Sequence, residues 1–343
     1  MRFGSILILC VFLLVPFSVI SVHVSAQDKI NIVATIEVYA SIAKIIGGDF
    51  VRVDYILPSG ASPHDYSLTT DDILKAQSAD LLIFANSEFF TIEENLLKHV
   101  EGKPYLDFQD YQKYNVTLLT LPGFGVNYHG YWIYPDNALA IGKAIHATLI
   151  LLDPDHAKYY DDNLEYFIEK ITRIKSIVYQ VSIDKQLYGA GVVISVPGVA
   201  YIASTFGFNI IASLLKEPGK FMNSTELNYI ISLARENKVR LILCPYSLKS
   251  GKPGEISRQL SEDAEIPVAY VRIFSMEGLN DYFAMMTYNI GVIENTATLN
   301  PSSISSDIVY WYMIAIGVLF AIVMIESSMI FLYKRRAEAA WHE

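Results

Sequence analysis

Two rhythms of apolar residues alternate along the chain and organise it. "KINIVATIEVYASIAKIIGG" opens with a short alternating run, then places apolar residues every three to four positions and closes at Gly47 and Gly48. A two-residue period marks a strand, a 3.6-residue period marks a helix, and glycines end a helix well. "FVRVDYILP" alternates β-branched and aromatic residues, and "TTDDILKAQSADLLIFAN" reads as a Thr/Asp-capped helix leading into a buried strand. Strand, helix, strand, helix, strand is the order of a right-handed βαβ lobe with a parallel sheet. "ALAIGKAIHATLILL", after Asp136 and Asn137, adds a further helix.

From Pro154 to Lys185 there is no glycine, and no proline after the first residue. About 30 residues of helix span roughly 45 Å, a length that suits a strut between two lobes. The strand and helix rhythm then restarts in "GAGVVISV", "AYIASTFGFNIIASL", "STELNYIISLARENKVRLILCP", "GEISRQLSEDAEIPVAYV" and "DYFAMMTYNIGVIEN", with Ser224 or Thr225 as the helix cap. The expected fold is α/β: two βα lobes with parallel-type sheets, 27–153 and 187–295, joined by one backbone helix over 154–186.

The ends differ from this middle. Residues 1–26 combine a basic start, the apolar "ILILCVFLLVPFSVI" and small residues Val24 and Ala26 before Gln27, the pattern of a signal peptide. A polar tether, 296–307, leads to "IVYWYMIAIGVLFAIVMIESSMIFLY", Ile308 to Tyr333, which is long enough to cross about 30 Å of hydrocarbon as a transmembrane helix. Lys334, Arg335 and Arg336 follow, so the positive-inside rule assigns 334–343 to a cytoplasmic tail and 27–307 to the extracytoplasmic side. The sequence thus predicts a single-pass protein of the cell membrane, with Glu326 in the C-terminal third of the span tolerated there.

Composition adds compartment and partner. Of the two cysteines, Cys10 lies in the leader without a small-residue lipobox, so a lipid anchor is not expected, and Cys244 alone cannot form a disulfide framework. Setting aside Arg2, Lys334, Arg335, Arg336, Glu326, Glu338 and Glu343 leaves 22 basic and 33 acidic residues, a net −11. That charge argues against nucleic acid and is compatible with cations. Asn115 and Asn223 head sequons that arise often by chance. No nucleophile–base pair stands at a recognisable spacing and no phosphate-cradling glycine loop is present, so no enzyme is expected.

The stretch "LPSGASPHDYSLTTDDILKAQSADLLIFAN" resembles the zinc and manganese solute-binding family of ABC importers, matching its Pro-Gly-x-x-Pro-His-x-Tyr motif from Gly60 onward with Ser59 between Pro58 and the Gly, and its following helix and Ala-Asp strand. "WIYPDNALAIGKAI", "DPDHAKYYDDNLEYF", "AYIASTFGFNIIASLLKEPG" and "DYFAMMTYNI" resemble further family segments, so the likeness covers roughly 28–295. It implies two α/β lobes on one backbone helix, a transition metal held between them, and ABC permease and ATPase subunits as partners. It also makes His64 the first metal ligand.

The other ligands depart from that pattern. The family's second His comes two residues before the Trp, where this chain has Gly130; His129 is three before Trp132, and a bulge there would bring it into the cleft. The third and fourth ligands fall at Val196 and near Ile273 or Phe274, and the histidine-rich loop of many zinc members is absent from "YQKYNVTLLTLPGFGVN". Replacement donors from the second lobe are Cys244 and Glu277; with a thiolate, the set would suit zinc or copper. Two readings remain open: capture of a zinc- or manganese-class ion in the cleft, or a retained scaffold that takes a metal chelate, another small solute or a protein partner without coordinating the metal itself.

Overall fold

The computed structural model describes residues 29–59, 61, 63–64, 66–274 and 281–298, together with Ile314 and Met324. The first lobe is built on β1 (Ile30–Ala34), β2 (Val51–Tyr55), β3 (Leu81–Ile83) and β4 (Tyr105–Leu106), paired in parallel in the order β2-β1-β3-β4. Helices α1 (Glu37–Gly47), α2 (Thr70–Gln77) and α3 (Thr91–Leu97) make the crossovers, and α4 (Phe108–Gln112) follows β4. The expected stop of α1 is observed: it ends at Gly47, and Gly48 turns out of the helix at φ +53°. The Thr/Asp cap is observed too, as a reciprocal capping box between Thr69 and Asp72.

An antiparallel hairpin, β5 (Leu119–Leu121) with β6 (Gly125–Asn127), comes next, then α5 (Pro135–Leu152) with proline in its first turn. The glycine-free run forms the 28-residue α6 (Ala157–Asp184), preceded by a 3-10 turn at Pro154–His156. Its buried stripe, Tyr160, Phe167, Ile171, Ile174, Val178 and Val181, recurs every three to four residues or at twice that interval and seats the helix on the core.

The second lobe repeats the plan. β7 (Gly191–Ile194) is followed by α7 (Ala200–Thr205), β8 (Asn209–Ser213), a small ribbon of β9 (Leu215–Glu217) and β10 (Lys220–Phe221), then α8 (Ser224–Arg235). β11 (Leu241–Pro245), α9 (Lys252–Ala264), β12 (Val268–Val271) and α10 (Tyr282–Thr298) complete it. The sheet order β12-β11-β7-β8 is all parallel. In the first lobe the chain moves outward from β1 to β2, then returns to the other side of β1 for β3 and β4. The crevice at the carboxyl ends of the strands where the order reverses is where such sheets present ligands.

Two details of the second lobe differ from expectation. The cap of α8 is Asn223, one residue before Ser224, in a capping box with Glu226; amide and hydroxyl oxygens cap equally well, so composition alone does not choose between neighbours. "DYFAMMTYNIGVIEN" carries no strand: from Tyr282 it is helix throughout, bound to β12 through Asn289, which accepts from Arg272 N at 2.7 Å and donates to Arg272 O at 2.8 Å.

The main core is continuous across the lobes. It joins β1, β3, α1 and α5 to β7, α7, β12 and α10, while a separate cluster under α8 and α9 fills the far side of the second sheet. Trp132 sits at the junction, 1% exposed, against Tyr39, Phe90, Tyr131 and the second-lobe Phe274, and its Nε1 donates to Ile273 O at 3.1 Å. Tyr282 Oη donates to Ile133 O at 2.8 Å across the same junction.

Candidate metal centre

His64 stands in the loop after β2, on the carboxyl edge of the first sheet. Buried Ile56, Leu57 and Pro63 hold the near side of that loop. On the far side Tyr66 Oη donates to Asp72 Oδ2 at 2.9 Å, tying the chain two residues past His64 to the first turn of α2. The imidazole itself is exposed.

His129 approaches from the hairpin. Asn127, at the end of β6, accepts His129 N at 3.0 Å, has its Oδ1 3.3 Å from His129 Nδ1, and sends its amide to Pro197 O at 2.9 Å in the second lobe. One side chain therefore orients the imidazole and fastens it to the opposite lobe. Gly130 follows at φ +77°, and a Cβ there would lie 2.5 Å from Gly198 O. A histidine at 130 has no room, and the left-handed backbone is one that L side chains rarely adopt. The imidazole sits one residue earlier, on the face turned to His64.

The two imidazoles meet with ring centroids 5.3 Å apart and planes at 49°. Two imidazoles on one tetrahedral zinc, with Zn–N near 2.0–2.1 Å, place their ring centres about 5 Å apart. Burial, and then the neighbouring His64, push the His129 pKa down to about 4. At neutral pH that ring is uncharged and keeps a lone pair for a cation.

Phe89 and Phe90 wall the pair. Phe89 lies edge-on to His129 at 4.9 Å, and Phe90 sits 5.6 Å from His64. Their loop is shaped from beneath by Glu93, fully buried, which accepts Ala85 N at 2.8 Å and Asn86 N at 2.7 Å. Desolvation raises its pKa to about 8, so it serves the loop as a largely neutral carboxyl. Nothing in the sequence marks Asn127 or Glu93, since both act through backbone groups that only the folded loops bring to them, Asn127 as far off as Pro197. The doubled phenylalanine of "FANSEFF" is the one visible signal of the aromatic wall.

Of the remaining candidates, Cys244 does not join the pair. Cys244 is buried on β11, its thiol 3.6 Å from Pro245 O and near Ser195 and Ser257, with its pKa raised by burial. Its strand runs through the centre of the second sheet, which holds the sulfur inside that lobe. Glu277 lies outside the described residues. Among the described residues, no three of His, Cys, Asp and Glu converge as a metal-holding group. Val196 and Ile273 sit where the family resemblance places second-lobe ligands, and both are buried apolar residues, 8% and 9% exposed.

Two parallel-sheet lobes, one long connecting helix and an imidazole pair at their junction define a two-lobed solute-binding protein. The family zinc-uptake complex component A, periplasmic (ZnuA), matches residues 32–296, and the chain belongs to it. It is accordingly a solute-binding protein of a metal importer and not an enzyme. The chain is 26% identical over 292 residues to the manganese ABC transporter substrate-binding lipoprotein scaA of Streptococcus gordonii, covering 78% of this chain and 89% of that one. It is 25% identical over 293 residues to the manganese ABC transporter substrate-binding lipoprotein PsaA of Streptococcus pneumoniae, with the same coverage. Its fold is similar to that of the periplasmic zinc-binding protein TroA from Treponema pallidum, with TM-score 0.65, 16% identity, 79% of this chain and 100% of that one.

These relatives correct the expected anchorage. Both curated relatives are lipoproteins, which overturns the single-pass C-terminal span with a cytoplasmic tail. Among the described residues no helix is long and apolar enough to cross a membrane. The segment behind that expectation, 308–333 with Glu326, lies outside the described residues except for Ile314 and Met324, as do the leader and Cys10. A run of apolar residues records hydropathy, which is a necessary condition for a span and not a sufficient one.

Proposed function

We propose that the chain captures a transition metal ion of the zinc or manganese class on His64 and His129 and delivers it to the permease and ATPase subunits of an ABC importer. The observation that carries this reading is the 5.3 Å imidazole pair, with His129 held neutral by burial. Both relatives above are substrate-binding proteins of manganese transporters, and the structural neighbour binds zinc. Donor chemistry ranks the two metals. Neutral imidazole suits zinc, whereas manganese favours carboxylate oxygens, and among the described residues no acidic group joins the pair. Zinc is the preferred cargo, and water or a donor from outside the described residues completes its shell.

Among the described residues, the second lobe contributes closure in place of ligands. Pro197 O, Gly198 O and Ile273 O meet Asn127, Gly130 and Trp132, so backbone contacts hold the lobes together beside the metal. Titration of the purified chain with Zn²⁺ and Mn²⁺ tests the reading. Zinc binds more tightly than manganese, and His64→Ala and His129→Ala each weaken zinc at least tenfold. Absence of saturable binding by either ion, or unchanged affinity in both variants, refutes it.

A further inference from the structure

We propose a second binding site, apart from the imidazole pair, in the cavity that α6 shares with both lobes, and assign it to a small zwitterion carrying a methylated ammonium group. The cavity measures about 220 Å³. That equals about seven waters at ~30 Å³ each, room for a molecule of about eight non-hydrogen atoms. The first lobe supplies Tyr134 and Asp136, α6 supplies Lys175, Tyr179 and Ser182, and Tyr188 lies just beyond that helix.

Three features specify the ligand. Tyr179 and Tyr188 are 64% and 70% exposed beside the cavity, with Phe206 also in its wall. Aromatic faces left in water attract cations, most readily methylated ammonium groups, through the ring quadrupole. Ser182 lines the cavity at 2% exposure with its Oγ lacking any hydrogen-bond partner. A helical serine commonly returns its hydroxyl to the carbonyl four residues back; this one leaves a buried donor unmet, which is costly without an acceptor. The third feature is the ion pair of Lys175 Nζ with Asp136 Oδ1 at 2.6 Å, both about half exposed.

Exposed pairs of that kind contribute little to stability, so each partner is available to a ligand. Lys175 then takes a carboxylate, joined by Ser182 Oγ once that buried hydroxyl turns toward the cavity, while Asp136 and the tyrosine faces take the ammonium. A simple cation meets Lys175, a simple anion meets Asp136, and a neutral molecule uses neither; a zwitterion satisfies both. Because the walls come from both lobes and the helix between them, an occupant ties the three together.

Calorimetric titration of the purified chain with glycine betaine tests the assignment. Saturable binding is expected, weakened at least tenfold by Tyr179→Ala, by Asp136→Asn and by Lys175→Gln, and unchanged in His64→Ala. Choline, which has the same ammonium and no carboxylate, should bind at least tenfold more weakly. Tyr179 and Lys175 are surface residues, so these variants fold, and circular dichroism checks that they do. No saturable heat with betaine, equal affinity for choline and betaine, or unchanged betaine affinity in both Tyr179→Ala and Lys175→Gln overturns the proposal.

Discussion

Replacing Gly130 by alanine probes the closest approach between the lobes, and the chain contains its own control. At Gly130 the added Cβ would lie 2.5 Å from Gly198 O and 3.3 Å from Gly198 C and Cα, backbone atoms of the opposite lobe. The backbone is also left-handed, φ +77°. A left-handed L residue costs about 1–2 kcal/mol, and forcing one extra carbon into a packed interface costs roughly 1–3 kcal/mol. Gly130→Ala should therefore lose roughly 2–5 kcal/mol, the sum of those two effects. Gly125 has φ +67°, and a Cβ added there would meet nothing within 4 Å. Gly125→Ala therefore bears the backbone cost alone, about 1–2 kcal/mol. Urea denaturation of both variants measures the difference, which reports the lobe–lobe contact alone. X-ray scattering of Gly130→Ala should show a larger radius of gyration, because relief of the clash opens the cleft beside His129. A difference below about 0.5 kcal/mol with unchanged scattering would refute the close approach, since that is the scatter usual for independent sites.

Two further predictions concern buried ionisable groups. Glu93 has a folded pKa of about 8 against 4.5 for the free carboxyl, so folding takes up a proton and stability falls as pH rises from 4.5 through 8. His129, with its pKa depressed to about 4 from 6.5, acts below pH 6.5 and in the opposite sense, costing stability as pH falls. Between pH 6.5 and 8 the Glu93 effect stands apart from that of His129 and amounts to about 2 kcal/mol at ~1.4 kcal/mol per unit. Urea midpoints across that window should decline in the parent and flatten in Glu93→Gln; equal slopes in the two proteins would count against a neutral Glu93. Cys244 is fully buried with a raised pKa, so the native thiol should react with a disulfide reagent at pH 8 at least a hundredfold more slowly than the urea-unfolded one. Rapid labelling of the native protein would place that sulfur at the surface.

The lobes, their parallel sheets and the long helix are legible in the sequence because each depends on a local period. β2 alternates, α6 keeps its apolar stripe over 28 residues without a glycine, and Gly48 ends α1 where the pattern stops. Boundaries set by competing polar residues are less legible, as Asn223 in place of Ser224 shows. The small ribbons β5–β6 and β9–β10 escape a sequence reading because pairs of two- or three-residue strands leave almost no periodic trace.

The site divides the same way. His64 could be singled out because its own stretch, with Pro63 and Tyr66, resembles the family motif, while the turn after β2 says only that it stands at the sheet's carboxyl edge. His129 could only be offered, since its place depends on Gly130 meeting Gly198 from a segment 68 residues away in the chain. Cys244 looked equally available as a letter, yet strand pairing on both sides puts its sulfur inside the second lobe. The sequence by itself determined most of the helices and sheet strands and their order, because hydropathy period acts between near neighbours, and the likeness of one motif to the family singled out one imidazole. Tertiary structure alone decided which second imidazole stands beside the first, that Asn127 ties it to the other lobe, and that backbone oxygens of that lobe meet Asn127, Gly130 and Trp132 beside the pair. Those outcomes rest on steric fit and desolvation between segments far apart in the chain, and neither is encoded at any single position.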